Sequence, residues 1–129
     1  MTMTALRVLA ADDDPTMAIL LRAVLAAPDF DLCLVADGDA ALAACAEPGR
    51  FDIVLLDVEM PGRDGLQVAA ELRRREGTDL PIVLLTGRED AAFAAALAAL
   101  PARHLAKPVN WTTLPDQLRE WLRFSGNSG

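Results

Sequence analysis

Four apolar runs in this chain end in a residue that can do chemistry. "VLAADDD" closes on Asp12, Asp13 and Asp14, "DIVLLDVE" on Asp57 with Glu59 two residues on, and "PIVLLT" on Thr86. The shorter run "RHLA" is followed by Lys107-Pro108. An acid placed directly after a buried strand is a worse turn former than site residue. If these strand ends meet, three carboxylates crowd together and raise one another's pKa. A hard divalent cation relieves that repulsion, and magnesium suits an oxygen-rich site that keeps several waters. Lys107 adds a compact positive charge able to pair with a carboxylate or a phosphoryl oxygen. Thr86 adds a hydroxyl donor. One nucleophilic carboxylate ringed by a metal, a lysine and a hydroxyl is a constellation for phosphoryl transfer onto that carboxylate. Singly, each residue has a plainer reading. Asp12 to Asp14 suit a helix N-terminus, Thr86 a strand end and Lys107 a solvated surface. Together they favour the site.

Bringing them together is the task of the elements between them. Strand and helix signals alternate. The apolar run Leu6 to Ala10 leads into "PTMAILLRAVLAA", where Met17, Leu20, Leu21 and Val24 share a helix face, Asp14 is the N-cap and Pro15 the first helical residue. Phe30 to Ala36 is a second strand, Asp37-Gly38 a plain turn, and "DAALAACAE" a helix with Leu42 and Cys45 inward. Phe51 to Leu56 is the third strand. Pro61-Gly62 suits the middle of a type II turn. "GLQVAAELRRRE", capped by Asp64, is a helix with Leu66, Ala69 and Leu72 on one side. Pro81 to Leu85 is a strand, and "EDAAFAAALAAL" a helix ended by Pro101. Arg103 to Ala106 is a short fifth strand. The last helix, near Thr113 to Arg123, aligns Leu114, Leu118 and Leu122, with Pro115 in its first turn. Five βα units with nearly unbroken apolar strands predict an α/β fold, a doubly wound five-stranded parallel sheet with five helices on its two faces. Ligands then sit beyond the carboxyl ends of the strands. The strand order 2-1-3-4-5 would place Asp12, Asp13 and Asp57 in one cleft.

The bulk numbers set limits. The 129 residues fit one domain, read as residues 4–124 with a flexible tail at 125–129. Hydrophobic residues at 53% against 24% charged fit a globular chain. No apolar run approaches the ~20 residues of a membrane span, and no secretory signal is read at the start. A cytoplasmic location is expected, with Cys33 and Cys45 as buried thiols. The net charge of −7 argues against direct nucleic-acid binding and against an anionic membrane surface. Arg73, Arg74 and Arg75 read as a solvated helix end, and Trp111 and Trp121 as packing for the last helix.

From roughly Leu6 to Leu122 the chain resembles the receiver domains of response regulators. The resemblance rests on "VLAADDDP", "VADGDAAL", "FDIVLLDVEMPGRDGLQV", "PIVLLTG" and "HLAKPVN", in that order and spacing. It implies a flavodoxin-like fold and a signalling switch rather than an enzyme, with only self-catalysed phosphotransfer and dephosphorylation. It implies that Asp57 accepts phosphate from a sensor histidine kinase or a histidine phosphotransfer protein. Asp12 and Asp13 match the pair that holds Mg²⁺, Asp13 directly and Asp12 largely through water, and Glu59 matches a backbone-carbonyl ligand. Thr86 matches the switch hydroxyl and Lys107 the phosphate-pairing lysine, before a bond to Pro108 that is usually cis. Glu59 and Arg88 fall at the rim of the phosphate. The chain departs from the pattern at His104, which stands where a switch Tyr or Phe is usual. It departs again at Gly87, at Arg63, and at "LPARH", which lacks the glycine that usually ends the fourth helix. The implied output is a downstream protein target reached through the fourth helix, fifth strand and fifth helix, and a homodimer is left open. Two other readings compete. "LLDVE" mimics the acid-x-acid motif of an aspartate-nucleophile phosphatase, although that motif normally follows a first strand and would leave Asp12 and Asp13 unexplained. The chain could also be the N-terminal receiver of a longer transcriptional regulator.

Overall fold

The computed structural model describes residues 5–77, 79–87, 89–100 and 102–126, with side chains described to Leu122. Five parallel strands form one sheet: β1 (Leu6–Ala11), β2 (Phe30–Val35), β3 (Ile53–Asp57), β4 (Ile82–Thr86) and β5 (Arg103–Ala106). Their order is β2-β1-β3-β4-β5, as the alternation predicts. The helices are α1 (Pro15–Val24), α2 (Gly38–Ala44), α3 (Gly65–Glu76), α4 (Ala91–Ala99) and α5 (Leu114–Gly126). The central strands β3 and β4 are buried along their whole length, because helices cover both faces. One core cluster joins Leu9, Val54, Leu56 and Leu84 to Leu42, Leu72, Phe93 and Leu97. The other joins Val8, Leu55, Val83 and Leu85 to Leu21, Leu114 and Leu118. The alternation of strand residues between the two clusters follows the two-residue side-chain period.

Several expectations hold to the residue. Asp14 caps α1, accepting from Thr16 N, with Pro15 at the start. Asp64 caps α3 in a reciprocal box with Gln67. Gly62 has φ 72°, the left-handed value that a type II turn needs at its third residue. The Lys107-Pro108 bond is cis, and so is Ala27-Pro28.

Others are corrected. Asp37 is more than a turn residue: it caps α2 by accepting from Ala40 N. On α3 it is Val68, with Ala69 and Leu72, that is fully buried, while Leu66 is only half-buried. The arginine run is not one solvated end. Successive helical residues point about 100° apart, so the run splits: Arg74 and Arg75 both reach Glu71, while Arg73 turns inward. Arg74 is exposed and pairs with Glu71, whereas Arg73 is half-buried and donates to three backbone carbonyls. Helix α5 continues through Ser125 and Gly126, past its expected end at Arg123 and over the first two residues assigned to the tail; helix ends commonly shift by a residue or two. Pro101, expected to stop α4, lies outside the described residues; the helix ends at Ala99 with Leu100 as its C-cap.

Candidate functional site

The strand register assembles the site. Ala11 of β1 lies beside Leu56 of β3, so Asp12 and Asp57 leave the sheet as neighbours. Asp57 in turn lies beside Leu85, and Thr86 beside Ala106. The next residue, Lys107, donates its backbone N–H to the Thr86 carbonyl at 2.9 Å. Asp12, Asp57 and Thr86 are the buried polar residues, at 4%, 3% and 3% exposure, among the described residues. Asp13 is exposed beside them.

Lys107 Nζ donates to Asp57 Oδ1 at 2.8 Å, reaching across from the end of β5. The Glu59 N–H points to the same oxygen at a long 3.4 Å. Asp12 accepts from Asp14 N at 2.9 Å through Oδ1, while its Oδ2 is buried with no hydrogen-bond partner. One carboxylate oxygen from each of Asp12, Asp13 and Asp57 lies within 4.8 Å of the others. Burial raises the Asp12 carboxyl to a pKa of about 6; the Asp14 N–H opposes that rise, and the nearby Asp57 charge adds to it. Burial pulls Lys107 down, but the bond to Asp57 and its charge outweigh it and leave the ammonium above its ordinary value. Among the described residues this is a site with surplus negative charge, a buried acceptor oxygen left over and one bonded cation, Lys107. A hard, oxygen-seeking divalent cation fits that donor set. Asp12, Asp13 and Asp57 would hold it, and it would supply the positive charge that Lys107 alone does not.

Two glycines set the backbone around the acceptor, which sequence reasoning left unremarked. A Cβ on Gly65 would lie 2.5 Å from the Asp57 carbonyl oxygen and 2.9 Å from Val58 Cα. The same glycine closes the loop by donating to the Val58 carbonyl at 2.9 Å. A Cβ on Gly38 would strike the Arg63 carbonyl oxygen. The N-terminus of α2 thus packs against the β3–α3 loop. The only signal in the sequence was that each glycine follows an aspartate that caps a helix. Gly65→Ala is expected to lower stability by about 1–3 kcal/mol through overpacking at the acceptor. Urea unfolding checks this, and a variant as stable as wild type would contradict so close an approach.

The remaining candidates fall as follows. Glu59 is exposed at the rim. Arg88 lies outside the described residues, and so does any pair it makes with Glu59. His104 is exposed on β5, its ring meeting the buried Phe93 of α4 edge-on at 6.2 Å and 87°. Trp111 and Trp121, the latter on α5, are partly buried against the second core cluster, and Arg103 lies 5.1 Å over the Trp121 ring. Burial pushes the Cys45 thiol up to about 11, which makes it a poor nucleophile.

Comparison with known proteins agrees with this geometry. The profile of the response regulator receiver domain matches residues 8–119. The DNA-binding response regulator MtrA of Mycolicibacterium smegmatis is 44% identical over 84 residues, covering 65% of this chain and 36% of that protein. The transcriptional regulatory protein TcrA of Mycobacterium tuberculosis is 37% identical over 119 residues, 90% of this chain and 46% of that protein. The chain therefore spans between a third and a half of the length of these relatives. Among solved structures, a CheY-like receiver domain protein from Methanospirillum hungatei superposes with a TM-score of 0.86 at 21% identity, covering 97% and 99% of the two chains. The chemotaxis response regulator CheY4 of Vibrio cholerae does so with a TM-score of 0.79 at 30% identity, covering 91% and 98%. In fold, in strand order and in the match over residues 8–119, this chain belongs to the response regulator receiver domain family of two-component signalling.

Proposed function

We propose that the chain is a phospho-acceptor switch in which Asp57 takes a phosphoryl group from a phosphohistidine on a sensor histidine kinase or histidine phosphotransfer protein. The observation that carries this reading is the buried Asp57 carboxylate, bonded to Lys107 and within metal-sharing reach of Asp12 and Asp13. An Asp57 oxygen attacks phosphorus, the P–N bond to the donor imidazole breaks, and its electron pair stays with the imidazole. Lys107 orients Asp57 beforehand and then pairs with a phosphoryl oxygen. Thr86 donates its hydroxyl to another. Asp12, Asp13, Asp57 and the Glu59 carbonyl would hold Mg²⁺, which would supply positive charge to screen the transferred group. The chain does no further chemistry than this transfer and its own dephosphorylation. Such a switch works in the cytoplasm, where the kinase's phosphohistidine is presented.

Phosphate adds charge and acceptor oxygens beside Thr86. Its hydroxyl moves toward them and draws the loop after β4 with it, freeing space into which His104 turns. The face formed by α4, β5 and α5 then binds a downstream protein or a second copy of the chain. The exposed alanines of α4 give that face a shallow relief. Beryllofluoride with magnesium, an acyl-phosphate mimic, is expected to shift backbone amide resonances across residues 86–111. Shifts confined to α1 and α2 would refute this output face.

A phosphatase would use Asp57 as nucleophile and Glu59 as proton donor. It gives no role to the buried Asp12 or to the exposed Asp13 beside it. The resemblance implies a place for Arg88 near the phosphate, and on that reading Arg88→Ala is expected to change the phosphate half-life several-fold, on the order of 1 kcal/mol in barrier. Equal half-lives would remove Arg88 from the site.

A further inference from the structure

Helix α4 is held unusually. It has nine residues, and only Phe93 and Leu97 are buried. Its last turn carries no basic residue, and its C-cap, Leu100, has right-handed backbone angles and not the left-handed cap that glycine supplies. The carbonyls at such an end need donors from elsewhere. Arg73 provides one. Its Nε donates to the Leu100 carbonyl at 2.6 Å. Its Nη1 donates to the carbonyls of Gly77 and Leu80 at 3.0 and 2.6 Å. One half-buried guanidinium thus ties the C-terminal end of α4 to the turn between α3 and β4, with its charge at the negative ends of two helices. The opposite end of α4 begins at its N-cap Asp90, four residues after Thr86.

We propose that Arg73 is the fixed anchor of α4, about which the helix pivots when the site is switched: its N-terminal turn moves with the Thr86 loop while Leu100 stays in place. The fork geometry suits this role, because a planar guanidinium can hold three carbonyls in one fixed arrangement. The anchor stands on the hydrogen bonds alone. The pivot also rests on Asp57 being the phospho-acceptor.

Two measurements test it. In the absence of any phosphate mimic, Arg73→Met is expected to speed amide hydrogen exchange at Ala96–Leu100 more than tenfold, with β1 and β3 still protected and magnesium affinity unchanged. Arg73→Lys, which keeps the charge and one set of donors, recovers part of the protection. No acceleration at Leu100, or equal acceleration throughout the sheet, overturns the anchor. With beryllofluoride and magnesium, wild-type amide shifts should fall steadily from Ala91 to Leu100, and Arg73→Met should spread them to the Leu100 end. A response at Asp57 and Thr86 without that gradient overturns the pivot while leaving the acceptor reading intact. No response at Asp57 overturns both.

Discussion

Magnesium raises the thermal midpoint of the wild-type chain, and Asp13→Ala abolishes the rise. The expectation follows from the charge balance of the site. Three carboxylates share oxygens within 4.8 Å, Asp12 Oδ2 is buried without a partner, and Lys107 is the cation bonded to the cluster. A ligand that binds only the folded state stabilises it by mass action, by about 1.4 kcal/mol at ten times its Kd. For a chain of this size that is a shift of a few degrees. The metal-free protein should show the complementary pH effect. The folded-state pKa of Asp12 is raised from 3.8 to about 6. Between those values the unfolded chain has lost its proton while the folded chain still holds it. Stability therefore falls as pH rises from about 4 to 6, by on the order of 3 kcal/mol, and stays low above that window. Asp12→Asn removes this fall, leaving the variant more stable than wild type at pH 7 without magnesium and less responsive to the metal. Urea unfolding across that range, with and without magnesium, measures both effects. A pH slope unchanged by Asp12→Asn would contradict the assignment.

Lys107→Met costs stability that Asp57→Asn then restores. Lys107 places its ammonium 2.8 Å from a carboxylate that is 5% exposed. Removing one partner of a buried pair leaves the other charge desolvated and alone, typically at 3–5 kcal/mol. The Lys107 side chain is 32% exposed, so solvent screens part of that and about 1–3 kcal/mol is expected. Neutralising Asp57 in the same chain removes the orphaned charge. The double variant should therefore lie well above the sum of the single losses, with a coupling of at least about 1 kcal/mol. Additive losses would mean that the two groups do not interact.

Much of this was legible in the sequence because the signals were local and repeated. Continuous apolar runs marked buried parallel strands, and acids at the ends of two of them, with Thr86 and Lys107 at the ends of two others, marked a site once the strand order was supplied. The residues that escaped did so for physical reasons. Arg73 looked like its neighbours Arg74 and Arg75, since a run of like charges does not say which side chain turns inward. Its partners lie up to 27 residues away, in the α3–β4 turn and at the end of α4. Gly38 and Gly65 matter through what a Cβ would strike, a distant loop at Arg63 for Gly38 and the folded-back end of β3 for Gly65. Leu66 and Val68 on α3 differ by two residues, and the helical period alone left the centre of the buried face uncertain by that much. Asp37 was read as a turn because Asp-Gly is a strong turn signal, yet the same side chain also caps a helix.

The acceptor assignment is tested most directly by intact mass after exposure to phosphoramidate or acetyl phosphate with magnesium. The wild-type chain is expected to gain one phosphoryl group, labile to base and to hydroxylamine as an acyl phosphate is. Asp57→Asn is expected to gain none, while Asp13→Ala gains it far more slowly. Stoichiometric labelling that vanishes with Asp57 is the result this site predicts. Equal labelling of Asp57→Asn, or sustained release of phosphate from small phosphoesters with no labelled chain, would contradict it.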